Sequence, residues 1–137
     1  MNHVFADTSY FLAFLGEKGR LHERAIAWTK ALRGSVLTTE YVVIKVGNSL
    51  TKGADRAVFT EFYQTLRKDD TIEIVPASTA LQDRGAALFA QRPDKEWSLT
   101  DCISFLVMTD RGLNDALTGD RDFEQAGFRA LLRQESA

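Results

Sequence analysis

Trp97-Ser98-Leu99-Thr100-Asp101-Cys102-Ile103-Ser104-Phe105, followed by Ala116-Leu117-Thr118-Gly119-Asp120-Arg121-Asp122-Phe123, is the stretch on which the reading of this chain turns. Ser98 is a favoured N-cap residue, and Asp101 falls three positions later. That pair spells a capping box, and the apolar run Cys102 to Met108 continues the helix it starts. The spacing predicts a helix over 99–111. Ala116 to Thr118 is short and apolar and reads as a buried strand, 116–118. Asp120 and Asp122 follow it, ahead of a short helix at 121–126 that ends at Gly127. A last strand is expected near Phe128 to Leu131. Acids therefore stand where a helix begins and where a strand stops. A third acid, Asp7, ends the apolar start Val4-Phe5-Ala6 in the same way.

Outward from that stretch, strand and helix signals alternate. Val4 to Ala6 reads as a strand, with Asp7-Thr8-Ser9 as its exit and a helix cap. Tyr10 to Leu15 forms one or two helical turns, stopped by Gly16. Leu21, Ala25, Trp28 and Leu32 recur at helical spacing, and Gly34 ends that run. Ser35 to Leu37 is a second strand. Tyr41-Val42-Val43-Ile44 is largely β-branched and favours a strand locally. Yet Val43, Val46, Gly47 and Leu50 share one helical face, while Lys45, Asn48, Ser49 and Lys52 share the other. Glu40 to Leu50 is therefore read as a helix capped by Thr39. Asp55 to Leu66 is a helix with Val58, Phe59, Phe62 and Leu66 inward. Thr71 to Val75 is a strand ended by Pro76, Ser78 to Phe89 a helix, and Gln91 to Glu96 a polar loop.

This alternation is that of an α/β protein with a parallel sheet covered on both faces. Right-handed crossovers place every strand's carboxyl end on one edge, where such sheets bind ligands. Asp7, Asp101, Asp120 and the Glu40–Lys45 segment all fall at that edge.

The composition suits a soluble domain. The 137 residues are 45% apolar and 26% charged, with two prolines, which is enough for one domain, 1–137, with a core of its own. A net charge of −2 supplies no general attraction to nucleic acid, so RNA binding needs a local basic patch or bound metal. The single Cys102 excludes an intramolecular disulfide and fits a reducing, cytoplasmic compartment. No apolar run reaches the roughly 20 residues of a membrane span, and no signal-peptide pattern opens the chain. His3 and His22 lack zinc spacing. No nucleophile elbow or phosphate-binding glycine loop is present. Arg92, Lys95 and Arg121 flank the expected cleft, and Trp97 reads as a packing anchor.

Each acid alone is explained more simply as a helix cap. Together on one edge they form a pocket of like charges, which a divalent cation with oxygen ligands would relieve. Such an ion orients water and neutralises charge on a phosphate, the requirements of phosphodiester hydrolysis.

Over nearly its whole length the sequence resembles the PIN-domain ribonucleases, especially the VapC-like toxin halves of prokaryotic toxin–antitoxin pairs. The resemblance is carried by Phe5-Ala6-Asp7-Thr8-Ser9-Tyr10-Phe11, by Pro93 through Cys102, and by Ala116 through Phe123 with Gly127-Phe128. It implies a three-layer α/β/α sandwich around a central parallel sheet of four to five strands. It also implies a pocket for Mg2+ or Mn2+ and endonucleolytic cleavage of RNA. Asp7, Asp101 and Asp120 would be the catalytic and metal-binding acids and Asp122 a variable neighbour. Thr8 or Ser9, and Thr118, would support them by hydrogen bonds. An antitoxin protein and a second copy of the chain are the implied partners, the homodimer using the early helix around Phe11, Phe14 and Leu15.

One position departs from that family. An acid is usual on the helix after the second strand, and here Val42-Val43-Ile44-Lys45-Val46 places a lysine. Glu40 is the possible stand-in, but five helical residues turn through roughly 500°, so it points about 140° away from Lys45. Two readings follow. Lys45 faces solvent and the site works on three aspartates, or the domain is catalytically impaired and serves as an RNA- or protein-binding module. A phosphoacceptor receiver domain is a third reading. It needs paired acids after the first strand, and Asp7 is unpaired.

Overall fold

The computed structural model of the chain describes residues 3–135. Its strands are β1 (His3–Ala6), β2 (Ser35–Thr39), β3 (Ile72–Val75), β4 (Asp115–Leu117) and β5 (Arg129–Ala130). They form one sheet in the order β3-β2-β1-β4-β5, with every pairing parallel. The helices are α1 (Thr8–Leu15), α2 (Arg20–Ala31), α3 (Glu40–Ser49), α4 (Asp55–Lys68), α5 (Thr79–Gln91), α6 (Leu99–Asp110) and α7 (Arg121–Gln125). In one group α1 packs on α2 and α3, and α3 on α4; in the other α5 packs on α6, and α6 on α7. This is the α/β/α sandwich the sequence predicts, with five strands.

The central strand β1 is apolar after its first residue. Val4, Phe5 and Ala6 of β1 are all buried, as a parallel strand covered on both faces requires. Phe5 pairs with Ala116 and Ala6 with Leu117 across β1 and β4. The residues just past those ends, Asp7 and Thr118, are thereby held side by side. β1 has β2 on its other flank, so the strand order reverses there, the place where open sheets form a ligand crevice.

Burial decides the ambiguous segment. The β-branched run at 41–44 is helical because Val42, Val43 and Val46 bury one face, and Thr39 Oγ1 caps α3 by accepting from Val42 N at 3.2 Å. Packing outweighs local β preference. Between α5 and α6 the approach is close: a Cβ on Gly85 would run into the Ile103 side chain.

Two expectations are corrected. The last strand is two residues long, because Leu131 and Leu132 turn into a 3-10 helix (Leu131–Arg133) that buries both side chains. Leu132 N then donates to Thr118 O at 3.1 Å rather than extending the ladder. Phe11 is not a surface residue. It is buried, with its ring centroid 5.1 Å from that of Phe62. Of the three early-helix residues expected at a dimer surface, Phe14 is exposed and Leu15 half-buried. Among the described residues, no helix is long and apolar enough to cross a membrane.

Candidate active site

Three sequence-distant segments meet at the carboxyl edge: the β1–α1 junction, the start of α6, and the β4–α7 junction. Asp7 occupies the N-cap position of α1, yet its carboxylate makes no capping hydrogen bond. Its Oδ2 instead accepts from Thr118 Oγ1 at 2.9 Å and from Ser9 Oγ at 3.2 Å. Ser9 Oγ also lies 3.0 Å from Thr118 Oγ1 and accepts from Gly119 N at 3.0 Å. Thr118 Oγ1 in turn accepts from Asp120 N at 3.0 Å. One buried threonine hydroxyl thus joins the exits of β1 and β4. Ser9, not Thr8, shares that role; the Thr8 hydroxyl is buried with no hydrogen-bond partner.

Asp101 does cap its helix. Its Oδ2 accepts from Ser98 N at 3.1 Å while Asp101 N donates to Ser98 Oγ at 3.0 Å. A carboxylate has two oxygens, so capping with one leaves the group able to ligate. Asp101 is 5% exposed and turned inward. Asp120 is the N-cap of α7, its Oδ1 accepting from Asp122 N at 2.9 Å. Asp101, Asp120 and Asp122 each bring a carboxylate oxygen within 4.8 Å of the others.

The electrostatics agree with a crowded acidic pocket. Burial raises the pKa of Asp7 against the lowering pull of Thr118, and the charges of Asp101 and Asp120 raise it further. Burial also raises Asp101, partly offset by the Ser98 backbone hydrogen bond and by the positive charge of Lys45. Asp122 is pushed up by burial and then by Asp120 and Asp101. Like charges in a partly dry site disfavour one another, and a cation relieves them. The converging donors are carboxylate oxygens without nitrogen or sulfur, the set a hard ion such as Mg2+ or Mn2+ takes.

Among the other candidates, Glu40 is directed elsewhere. Its carboxylate accepts from Arg67 at 3.0 Å and from Ala77 N at 2.7 Å. The helical rotation between positions 40 and 45 is the reason. Lys45 is exposed, yet its charge reaches Asp101, so solvent exposure and a place at the site coexist. Arg92 forms an ion pair with Asp94 and lies 4.9 Å from the Trp97 ring centroid. Trp97 is the packing anchor expected, edge-on to Phe105 at 5.0 Å. The structure brings Asp122 rather than Asp7 into the mutually close trio; Asp7 neighbours it through Asp101 and Asp120. Glu96, whose charge also bears on Asp122, escaped sequence reasoning. Its position directly before Trp97-Ser98 is the one signal that could have marked it.

Known proteins are similar to this chain in sequence and fold. The family model of the PIN domain matches residues 4–129. The 23S rRNA-specific endonuclease VapC20 of Mycobacterium tuberculosis is 24% identical over 127 residues, spanning 91% of this chain and 95% of that protein. The crystal structure of M. tuberculosis VapC20, described as a Sarcin-Ricin loop cleaving toxin, has a TM-score of 0.84 to this one. It shares 21% sequence identity and covers 92% of this chain and 96% of its own. The likeness of fold, the acids at the reversal of strand order and a family match over most of the length agree: this chain belongs to the PIN-domain family.

Proposed function

We propose that the chain is a metal-dependent endoribonuclease, the toxin component of a toxin–antitoxin pair, and that it hydrolyses phosphodiesters in RNA. The observation that carries this is the convergence of Asp101, Asp120 and Asp122 beside the buried Asp7. The 23S rRNA-specific activity of the similar M. tuberculosis protein supports an RNA substrate. Asp101 and Asp120, with Asp122, would hold Mg2+ or Mn2+, and Asp7 adds a fourth carboxylate to the same pocket. A bound ion supplies charge neutralisation at the phosphate and lowers the pKa of coordinated water.

The protein's own contribution is placement. Thr118 and Ser9 hold Asp7, the Ser98 capping pair holds Asp101, and the α7 N-terminus holds Asp120 and Asp122. The trio is complete without residue 45, which favours a working nuclease over a binding module. An antitoxin and a second copy of the chain are the proposed protein partners, in the cytoplasm.

Purified protein incubated with ribosomal RNA and a 23S rRNA hairpin fragment tests the reading. Discrete cleavage is expected with Mg2+ or Mn2+, abolished by EDTA and lowered at least about a hundredfold by Asp101→Asn. Intact RNA under every metal condition would overturn the assignment.

A further inference from the structure

Beside the acids lies a cleft that their chemistry does not use. It forms where the end of α5, the loop that follows and the start of α6 meet, and its volume is about 570 Å³. Phe89, Trp97 and Leu99 give it apolar walls, Arg92 and Lys95 bring two cations, and no carboxylate lines it. Phe89 and Leu99 are 47% and 42% exposed, both on this one cleft. It adjoins the acidic pocket on two sides. Trp97 directly precedes Ser98, whose N–H donates to Asp101 Oδ2 at 3.1 Å. Cys102, which lines the cleft, follows Asp101 on α6, so the two side chains leave the helix roughly 100° apart. Trp97 Nε1 also donates to Gln125 Oε1 at 3.3 Å, on α7, the helix whose first turn carries Asp122.

The two cations are held differently. Arg92 lies over the Trp97 ring, 4.9 Å from its centroid, while Asp94 accepts from its Nε and Nη2 at 3.0 Å each. Ring and carboxylate together fix a planar group at the cleft wall, and Asp94 offsets its charge. Lys95 is half-buried and, among the described residues, belongs to none of the ion pairs. It is the cation left over. A fixed planar cation, an exposed aromatic ring and a spare ammonium match one nucleotide. Bases stack on aromatic rings and guanidinium planes, and a lysine takes phosphate as a point charge. An acidic peptide would bring further negative charge beside the carboxylates. An RNA strand with a phosphate at those carboxylates continues across this edge.

We propose that the cleft receives the base of a nucleotide next to the scissile phosphate, stacked against Phe89 and Arg92, with Lys95 holding its phosphate. The proposal rests on the ribonuclease reading above and assigns the part of the site that selects an unpaired nucleotide.

The test compares the full chain with Phe89→Ala, with Lys95→Met, which keeps the apolar stem, and with Asp101→Asn. Fluorescence anisotropy in EDTA, where hydrolysis stops, follows a labelled 23S rRNA hairpin fragment and a fully paired RNA duplex of equal length. The native protein should bind the hairpin more tightly than the duplex. Each cleft variant should lose about tenfold in hairpin affinity, and the salt slope should become shallower by about one unit in Lys95→Met alone. Phe89→Ala should leave duplex affinity unchanged. With MnCl2, both cleft variants should raise KM about tenfold, keep kcat within about twofold, and titrate Mn2+ as the native protein does. Native hairpin affinity or native KM in Phe89→Ala, an equal loss on the duplex, or an unchanged salt slope in Lys95→Met would overturn the proposal. So would a Phe89→Ala variant that changes oligomeric state in light scattering while binding RNA normally, which would give the cleft to a protein partner. In each of those cases RNA cleavage by the native protein that Asp101→Asn abolishes leaves the nuclease reading standing. A native protein that neither binds nor cleaves RNA would remove the nuclease reading and the proposal together.

Discussion

Thr118 shows how much of the site depends on an uncharged atom. Its fully buried hydroxyl donates to Asp7 and accepts from Asp120 N, tying two carboxylate-bearing junctions together. Thr118→Val preserves the shape and removes both bonds. A stability loss of about 1–3 kcal/mol is expected, measured by urea unfolding, because Asp7 and the Asp120 amide lose buried partners. The carboxylates should behave in the opposite sense. Asp122 has its pKa raised above the ordinary 3.8, so the folded protein holds that proton more tightly than the unfolded chain. This contribution is most favourable below the unfolded pKa and is lost as pH rises through the folded one. Asp122→Asn should therefore melt higher than the native protein in EDTA at pH 7, by roughly 2–5 °C. The gap should close toward pH 4. A metal-free native protein that matches the variant at both pH values would show that repulsion at Asp122 is negligible.

Helix starts do two jobs in this protein. The capping box of α6 satisfies Ser98 N and Asp101 N, and the same Asp101 carboxylate belongs to the acidic trio. Ser98→Ala should cost about 1 kcal/mol of stability as a lost cap. It should also weaken Mn2+ binding, since Asp101 would lose the partner that holds it; titration calorimetry would report the change. An unchanged Mn2+ affinity would show that α6 packing alone positions Asp101. Helix contact is equally specific at Gly85, where α5 meets Ile103 of α6. Gly85→Ala should destabilise by about 1–3 kcal/mol, because a methyl there forces Ile103 or the whole of α5 to shift. Equal or greater stability in denaturant would mean that Ile103 repacks without strain.

At the scale of the whole molecule, the reversal of strand order at β1 turns three local features into one pocket. Only the folded state gathers Asp101, Asp120 and Asp122, so an ion bound there stabilises folding by mass action. At a hundred times its Kd this amounts to about 2.7 kcal/mol. Saturating Mg2+ or Mn2+ should raise the native Tm by roughly 5–10 °C and leave that of Asp101→Asn nearly unchanged, as scanning calorimetry would show. A native Tm insensitive to both ions would contradict the metal site. The sheet edges are guarded too: β5 is two residues long and β3 four, which limits pairing with other chains.

Much of this was written locally in the chain. Helical spacing, N-cap residues and short apolar runs marked every strand and α-helix, though not the closing 3-10 helix, and they marked α3, where the spacing of Val43 and Val46 outweighed a β-branched run. Acids at strand ends and helix starts were visible for the same reason, since capping and periodicity depend on neighbours a few residues apart. Which acids meet depended on strand order, register and rotation about helix axes, none of which neighbouring residues encode. Register set Thr118 beside Asp7 and gave Ser9, not Thr8, the bond to it. Helix rotation carried Glu40 to Arg67 and set Lys45 on the acidic side. The first turn of α7 brought Asp122 into the trio, while Asp7, bonded to Thr118 and Ser9, lies outside it. Local physics therefore determined the elements and the chemical type of the site, and tertiary packing chose the residues that share it, because that choice rests on distances between segments a hundred residues apart, as in the Asp7–Thr118 pair separated by 111 positions.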